Sequence, residues 1–322
     1  MYGDKVKFES IPVSVVIPLY NCSLFIEECL TSVNQGIRPA EIIVVDDCST
    51  DDSVALVKNL SQANSNIIIL KTSFNQGAHN ARKLGIDNAI SPFIALIDAD
   101  DVLEKDAISD AYQRIISSSL DKRIDICIWD MWRLSHNGEN FRAHCNPSFL
   151  PVSGQEALKM TLGAWRIHIA GVARKEIYTR AYQNIHIDCY NSDELITRLA
   201  FCEARFVFGS PKKYFYRINP DSTTKVISDK HLGYLRSTLW LVALASRTYG
   251  APNKRIARHG IGTAFGFLRK RGLFTKRLLK NELRYYINHV GRCPLHWRAA
   301  LARPRSLFEL CLLCILAKLK YF

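Results

Sequence analysis

The sequence predicts an α/β protein with a doubly wound, mostly parallel sheet flanked by helices, followed by a basic helical C-terminal region. Three observations carry this. Short apolar runs rich in β-branched residues alternate with helix-patterned stretches over the first hundred residues. Three of those runs, the second, the fourth and, one residue on, the first, lead straight into polar or acidic clusters. The charge then changes sign: from Val226 onward there are 19 Lys and Arg against 3 acids, a net +16, whereas residues 1–225 sum to −3.

The strands come first. Val13–Pro18 (VSVVIP), Glu41–Asp46 (EIIVVD), Asn66–Leu70 (NIIIL) and Phe93–Asp98 (FIALID) are nearly continuous in apolar character. Strands buried on both faces of a parallel sheet read this way. Between them, Phe25, Cys29, Leu30 and Val33 form a helical stripe. STDDSVALVKNL offers cap residues at Ser49 and Thr50, and GAHNARKLGIDNAI supplies a third helix. Alternation at this spacing means βαβ units. Further on, DICIWDMWRLS reads as a strand, GQEALKMTLG and DELITRLAFC as helices, and the YFYR run as a closing strand with a turn at Asn219–Ser222. HLGYLRSTLWLVALASRTYG and TKRLLKNELRYYINHV are helical. The expected division is an α/β domain over 1–225, in two parts of about 11–104 and about 105–225, then a basic helical region over 226–322.

Parallel α/β sheets bind ligands beyond the carboxyl ends of their strands. Here those ends read Pro18-Leu19-Tyr20-Asn21, Asp46-Asp47-Cys48-Ser49 and Asp98-Ala99-Asp100-Asp101. Carboxylates that close together repel unless a cation or hydrogen-bond donors compensate. Asp98 and Asp100 can hold one hard divalent cation, Mg²⁺ or Mn²⁺, with water and diphosphate oxygens completing its shell. Taken alone, a DxD tripeptide is as readily a turn or a helix cap. A Tyr20 ring and an Asp46 or Asp47 carboxylate at the same edge suit a nucleobase, although Asp47 and Ser49 also suit the start of the next helix. No GxGxxG follows the first strand and no GxxxxGK[ST] occurs, which argues against a dinucleotide dehydrogenase and a P-loop nucleotidase.

VSVVIPLYN, EIIVVDDCSTDDS, NQGAHNARKLGI and FIALIDADD, in that order and spacing, resemble the family-2 glycosyltransferases of GT-A fold, over roughly Val13 to Val102. The resemblance implies an inverting, metal-dependent transferase using a nucleotide-sugar donor, a UDP-sugar by preference. It places Pro18, Tyr20, Asp46, Asp47, Asn75, Arg82, Asp98, Ala99 and Asp100 at the donor, with the metal on Asp98 and Asp100. The family's later acidic pair corresponds to Asp193-Glu194, here in the order D-E rather than E-D, so the general base is either Asp193 or Glu194. The competing reading for this pair is a helix cap. Arg217 faces the diphosphate or pairs with surface acids, and His231 is weighed as a further metal contact against an ordinary surface histidine.

The tail, with AFGFLRKRGLFTKRLLKNELRYY at its centre, is basic and amphipathic. It suits an anionic membrane surface, each Lys or Arg adding about 1 kcal/mol near anionic lipid. The expected partners are therefore a nucleotide-sugar donor, a glycan or lipid-linked acceptor and the membrane, with no nucleic acid. The expected place is cytoplasmic, peripheral on the inner face of the cell membrane, and the tail also suits pairing with a second copy. No run reaches the ~18 apolar residues of a spanning helix. Ten scattered cysteines suit reduced thiols, and the lone Cys311-x-x-Cys314 is better read as buried apolar residues than as a zinc or redox site. Two rivals remain open: a sugar nucleotidylyltransferase, opposed by PLYNCSLF where a Gly- and Arg-rich loop belongs, and a degenerate domain kept as a binding module.

Overall fold

The computed structural model describes residues 10–118, 123–134, 140–143, 151–161, 167–183, 192–218, 232–249 and 276–291, with a few helical residues at 258–266 and at 310. The chain divides into two compact units. The first comprises Met1–Thr161, Trp165–Ile185 and Ile196–Ile218; the second comprises Leu162–Ala164, His186–Leu195 and Asn219–Phe322.

In the first unit, β1 (Ser10–Leu19), β2 (Arg38–Asp46), β3 (Ile67–Lys71) and β4 (Phe93–Leu96) pair in parallel in the order β3-β2-β1-β4. α1 (Ile26–Val33), α2 (Ser53–Ala63) and α3 (Ala78–Asn88) connect them. β1 lies in the middle and is buried from Val13 to Leu19, which explains its continuous apolar run. Pro18 is tolerated there for a geometric reason. Val16 accepts the Ile97 N–H at 3.1 Å on the β4 side, and Pro18, two residues on, faces the same side beyond the end of β4, where no donor is needed. α3 packs tightly on this strand: a Cβ on Gly85 would lie 2.3 Å from Val16 Cγ1.

Beyond β4 the sheet becomes mixed. β5 (Val102–Leu103), α4 (Ala107–Ile116), β6 (Ile124–Leu134), β7 (Asn140–Arg142), β8 (Val152–Ser153), α5 (Gly154–Thr161), β9 (Gly171–Arg174), α6 (Lys175–Gln183), α7 (Ser192–Glu203) and β10 (Phe206–Arg217) follow. The sheet continues β4-β9-β6-β10-β5. β9 is antiparallel to both neighbours, β10 is parallel to β6, and β5 is antiparallel to β10. The YFYR run is the end of a 12-residue strand rather than a separate one. β9, only four residues long, carries no readable sequence signal. Trp129, buried on β6, donates its indole N–H to Ala107 O at 2.9 Å and stacks on Tyr214 of β10 at 6.0 Å between ring centres, locking the two strands and α4 together.

One local expectation changes. The helix expected to start at Ser49 and Thr50 starts at Ser53, and Asp52 sits at its cap without a side-chain cap bond. Ser49 and Thr50 are engaged elsewhere, as described below.

In the second unit, α8 (Gly233–Tyr249) and α9 (Lys276–Gly291) are joined by a two-pronged ion pair: Arg236 donates to Glu282 at 2.8 and 2.6 Å, and its guanidinium lies 5.1 Å from the Tyr285 ring centre. Thus one of the tail's three acids is a structural partner. Among the described residues no helix is long and apolar enough to cross a membrane. The expected turn at Asn219–Ser222, His231, Cys311-x-x-Cys314 and most of the basic segment 264–286 before α9 lie outside the described residues.

Candidate active site

β1, β2, β3 and β4 end on one edge of the sheet, and the loops that follow them meet there. After β1, Tyr20 is 44% exposed. Asn21 then adopts a left-handed conformation (φ 50°), which Asn tolerates better than most residues. Its side chain accepts the Thr50 N–H at 2.8 Å and donates to Thr50 Oγ1 at 3.2 Å, and its own N–H donates to Ser49 Oγ at 3.2 Å. Cys22 N–H donates to Ser53 Oγ at 2.8 Å, and Ser23 N–H to Asp51 at 3.0 Å. The two loops are stapled together, and Ser49 and Thr50 serve this staple instead of capping α2.

Asp46 and Asp47 are both buried and do different things. Asp47 accepts Thr72 Oγ1 at 2.7 Å, the Gln76 N–H at 2.9 Å and the Gly77 N–H at 2.6 Å. Both of its oxygens are committed to shaping the loop between β3 and α3. That loop carries exposed Asn75 and ends in Gly77, whose φ of 83° favours glycine. Asp46 accepts the Ser49 N–H on Oδ1 at 2.8 Å. Its Oδ2 is buried without a hydrogen-bond donor, and the nearest cation, the well-exposed Lys71 ammonium, stands 3.7 Å away.

The third cluster follows β4. Arg82 of α3 forms an ion pair with Asp98 at 2.5 Å. Asp101 is buried, accepting the Tyr214 hydroxyl at 2.5 Å and the Arg217 N–H at 2.8 Å. The same tyrosine oxygen receives the Asp98 N–H at 3.4 Å, and Arg217 Nε donates to Asp100 O at 2.8 Å. The Arg217 guanidinium also pairs with Glu28 at 2.5 Å and lies over Phe25. β10 therefore holds the Asp98–Asp101 turn from below. Between the two readings for Arg217, an acid on the neighbouring helix is the partner observed.

The Asp100 carboxylate receives no hydrogen bond from another described residue. Burial first, then the neighbouring Asp98, raises its pKa to about 6. Asp101 is raised well above its ordinary value, by burial and then by Asp98 and Asp100. The same field, after burial, pushes the Cys22 thiol up to about 12. Negative charge is thus concentrated at this turn beyond what its protein donors offset. Among the described residues no group of three or more His, Cys, Asp or Glu is arranged to hold a metal ion. The donor set instead fits a cation held by the two carboxylates Asp98 and Asp100, with its remaining positions open, as hard divalent ions that also bind substrate phosphates prefer.

Eight of the nine expected donor-side residues lie on or beside this edge: Pro18, Tyr20, Asp46, Asp47, Asn75, Asp98, Ala99 and Asp100, with Arg82 reaching it from α3. Asp193 and Glu194 lie in the first turn of α7, Asp193 exposed and Glu194 partly buried, in the stretch His186–Leu195 assigned to the second unit. Sequence reasoning missed Asp101 and Tyr214 as organisers of the turn. The only signal was a third acidic residue in DADD and a tyrosine in an aromatic run 113 positions away.

Acidic loops at the strand ends of a sheet in this order are the arrangement expected of the family-2 glycosyltransferases that the sequence resembles. Residues 14–140 match the family model for glycosyl transferase family 2. Glycosyltransferase GlyG of Streptococcus pneumoniae is 24% identical over 215 residues, covering 64% of this chain and 70% of GlyG. The GalNAc(5)-diNAcBac-PP-undecaprenol beta-1,3-glucosyltransferase of Campylobacter jejuni is 34% identical over 103 residues, 31% of this chain and 33% of that protein. Among solved structures, S. aureus TarS 1–349 in complex with UDP-GlcNAc superposes with a TM-score of 0.65 at 17% identity, over 96% of this chain and 92% of TarS. That likeness establishes the fold.

Proposed function

We propose that the protein transfers a sugar, with inversion, from a UDP-sugar to a hydroxyl of a glycan or lipid-linked acceptor, in the synthesis of cell-surface polysaccharide or lipopolysaccharide. The observation that carries this is the strand-end edge itself: an orphan Asp46 acceptor beside an exposed Tyr20, and an under-compensated Asp98/Asp100 pair after β4. A nucleobase N–H would satisfy Asp46 Oδ2 once the exposed Lys71 swings aside, with the base stacked on Tyr20. The UDP-GlcNAc held by TarS and the undecaprenol-linked acceptor in the Campylobacter enzyme's name support the donor and acceptor classes.

Asp98 and Asp100 would hold Mg²⁺ or Mn²⁺, which when bound offsets charge on the leaving diphosphate. Arg82 restrains Asp98, leaving its second oxygen for that role, and Asp47 shapes the loop bearing Asn75. Asp193 or Glu194 removes the proton from the acceptor hydroxyl as that oxygen attacks the anomeric carbon opposite the diphosphate. The basic tail meets anionic lipid and keeps the enzyme peripheral on the inner face of the cell membrane.

Thermal-shift measurement against UDP, GDP, CDP and dTDP, with and without Mn²⁺, tests this reading. UDP at ~100 times its dissociation constant stabilises by ~2.7 kcal/mol. The expected result is a UDP response that needs Mn²⁺ and disappears in Asp100→Ala. A folded protein that answers to no nucleotide contradicts the proposal.

A further inference from the structure

A cavity of about 550 Å³ opens at the opposite edge of the sheet, where β4 begins rather than ends. Pro92, Arg123 and Arg174 line it where β4 starts, β6 starts and antiparallel β9 ends, and α6 contributes Lys175, Glu176 and Arg180. Four cations from three segments thus face one acid on the wall.

Their compensation is incomplete. Arg123 and Arg174 share one buried carboxylate: their Nε atoms stand 3.1 and 3.3 Å from Asp125 Oδ1, while Oδ2 takes the Arg205 N–H at 2.8 Å. Arg123 Nε is buried and, despite that distance, makes no hydrogen bond. Glu176 is divided between Arg123 and Arg180, and Arg180 also stands 3.7 Å from Glu203. Lys175 Nζ donates to a neutral carbonyl, Ala89 O, at 2.5 Å, so no carboxylate offsets its charge there. Arg174 lies over the Phe93 ring at 5.2 Å, and beyond its Nε contacts with Ile124 O and Asp125 its terminal amino groups have no hydrogen-bond acceptor among the described residues. Burial and then Arg123 draw the Arg174 guanidinium below its ordinary pKa, although Asp125 and Glu176 oppose the shift.

We propose that this cavity is a second ligand site, distinct from the donor site, and that it binds a phosphate-bearing anion. Guanidinium forks match phosphate oxygens in a bidentate way, and the four cations outnumber the three carboxylates that reach them, Asp125, Glu176 and Glu203. The volume lies within the ~300–1,000 Å³ of small-molecule sites, which leaves room for the organic part of a phosphoester. The phosphate comes either from a soluble phosphoester or from a phospholipid headgroup. The site stands whether or not the donor reading holds.

Full-length protein in EDTA is titrated with pyrophosphate by calorimetry and sedimented with phosphatidylglycerol or phosphatidylcholine vesicles. Because the tail is basic, the readout is the difference between native protein and the variants Arg174→Gln and Arg180→Glu. Arg180 is more than half exposed, so its variant keeps the fold if loss of the Arg174 contacts to Ile124 and Asp125 does not; melting temperatures check both. A tenfold or greater rise in the pyrophosphate Kd in the variants supports the site. If vesicle binding is unaffected, that result assigns it to a soluble phosphoester. Loss of phosphatidylglycerol sedimentation in both variants assigns it to a headgroup. Native-like behaviour of both folded variants in both assays overturns the proposal.

Discussion

Two adjacent aspartate pairs, Asp46–Asp47 after β2 and Asp100–Asp101 after β4, read alike in the sequence and share one division of labour. In each, one member is consumed by the fold: Asp47 by three donors of the 72–77 loop, Asp101 by Tyr214 and Arg217 of β10. The other member is left short of donors: Asp46 at one oxygen, Asp100 at its whole carboxylate. The pairs differ in how the spent member is neutralised. Asp47 gains two backbone N–H groups and a hydroxyl from a loop that otherwise has few partners. Asp101 sits beside two more carboxylates, so its hydrogen bonds do not prevent burial and like charge from raising its pKa and that of Asp100. On the proposed function, donor count rather than burial or sequence context separates a carboxylate that builds a loop from one left available to a ligand.

The sharpest way to break this comparison is Asp100→Asn. With the ligand-facing carboxylate lost, sugar transfer should fall by about a thousandfold, the order expected when a preorganised electrostatic contact at developing charge is removed. Stability should move the other way. The native Asp100 pKa of about 6 lies above its ordinary value of 3.8. Between those values the native protein keeps a proton that the unfolded chain releases. Stability therefore falls as pH rises from about 4 to 6 and is flat above. In EDTA the Asn variant should lose that fall and melt higher at pH 7, by the equivalent of about 1 kcal/mol once solvent screening is allowed for. A variant that melts lower would place Asp100 with the structural members.

Asp47→Ala tests the opposite role. The Gln76 and Gly77 N–H groups lose their acceptor, and the Thr72 hydroxyl keeps only Phe74 O at 2.9 Å and a long contact to Asp46 O, which should cost about 3 kcal/mol and lower the melting temperature by several degrees. Transfer should fall with it, because the loop that presents Asn75 and starts α3 is no longer held. An unchanged melting curve would show that the loop does not depend on Asp47.

Legibility followed sequence range. β1 to β4 were readable because burial on both faces demands unbroken apolar runs, and their ends pointed to the edge where the site lies. The roles within the edge were not, because they depend on partners far along the chain: Asp47 on residues 25 to 30 positions away, Asp101 on Tyr214. Ser49 and Thr50 looked like caps because cap chemistry is local; the competing Asn21 contacts are 28 and 29 positions distant. β9 was invisible for a different reason: GVAR lacks the unbroken apolar run that marks β4, a strand of the same length.

The smallest and most selective effect is expected at Asp46. In Asp46→Asn the amide oxygen can still accept the Ser49 N–H, so the loop staple survives and the melting temperature should change little. At the Oδ2 position an acceptor becomes a donor. If that atom reads the nucleobase, its partner N–H now meets another N–H, and UDP affinity should fall by about tenfold, or ~1.4 kcal/mol. Mn²⁺ dependence should be unaltered, since Asp98 and Asp100 are untouched. Calorimetric titration of UDP into the native protein and the variant measures this directly. Equal affinities would mean that the orphan oxygen serves Lys71 rather than the base, and would return Asp46 to the structural side of the comparison.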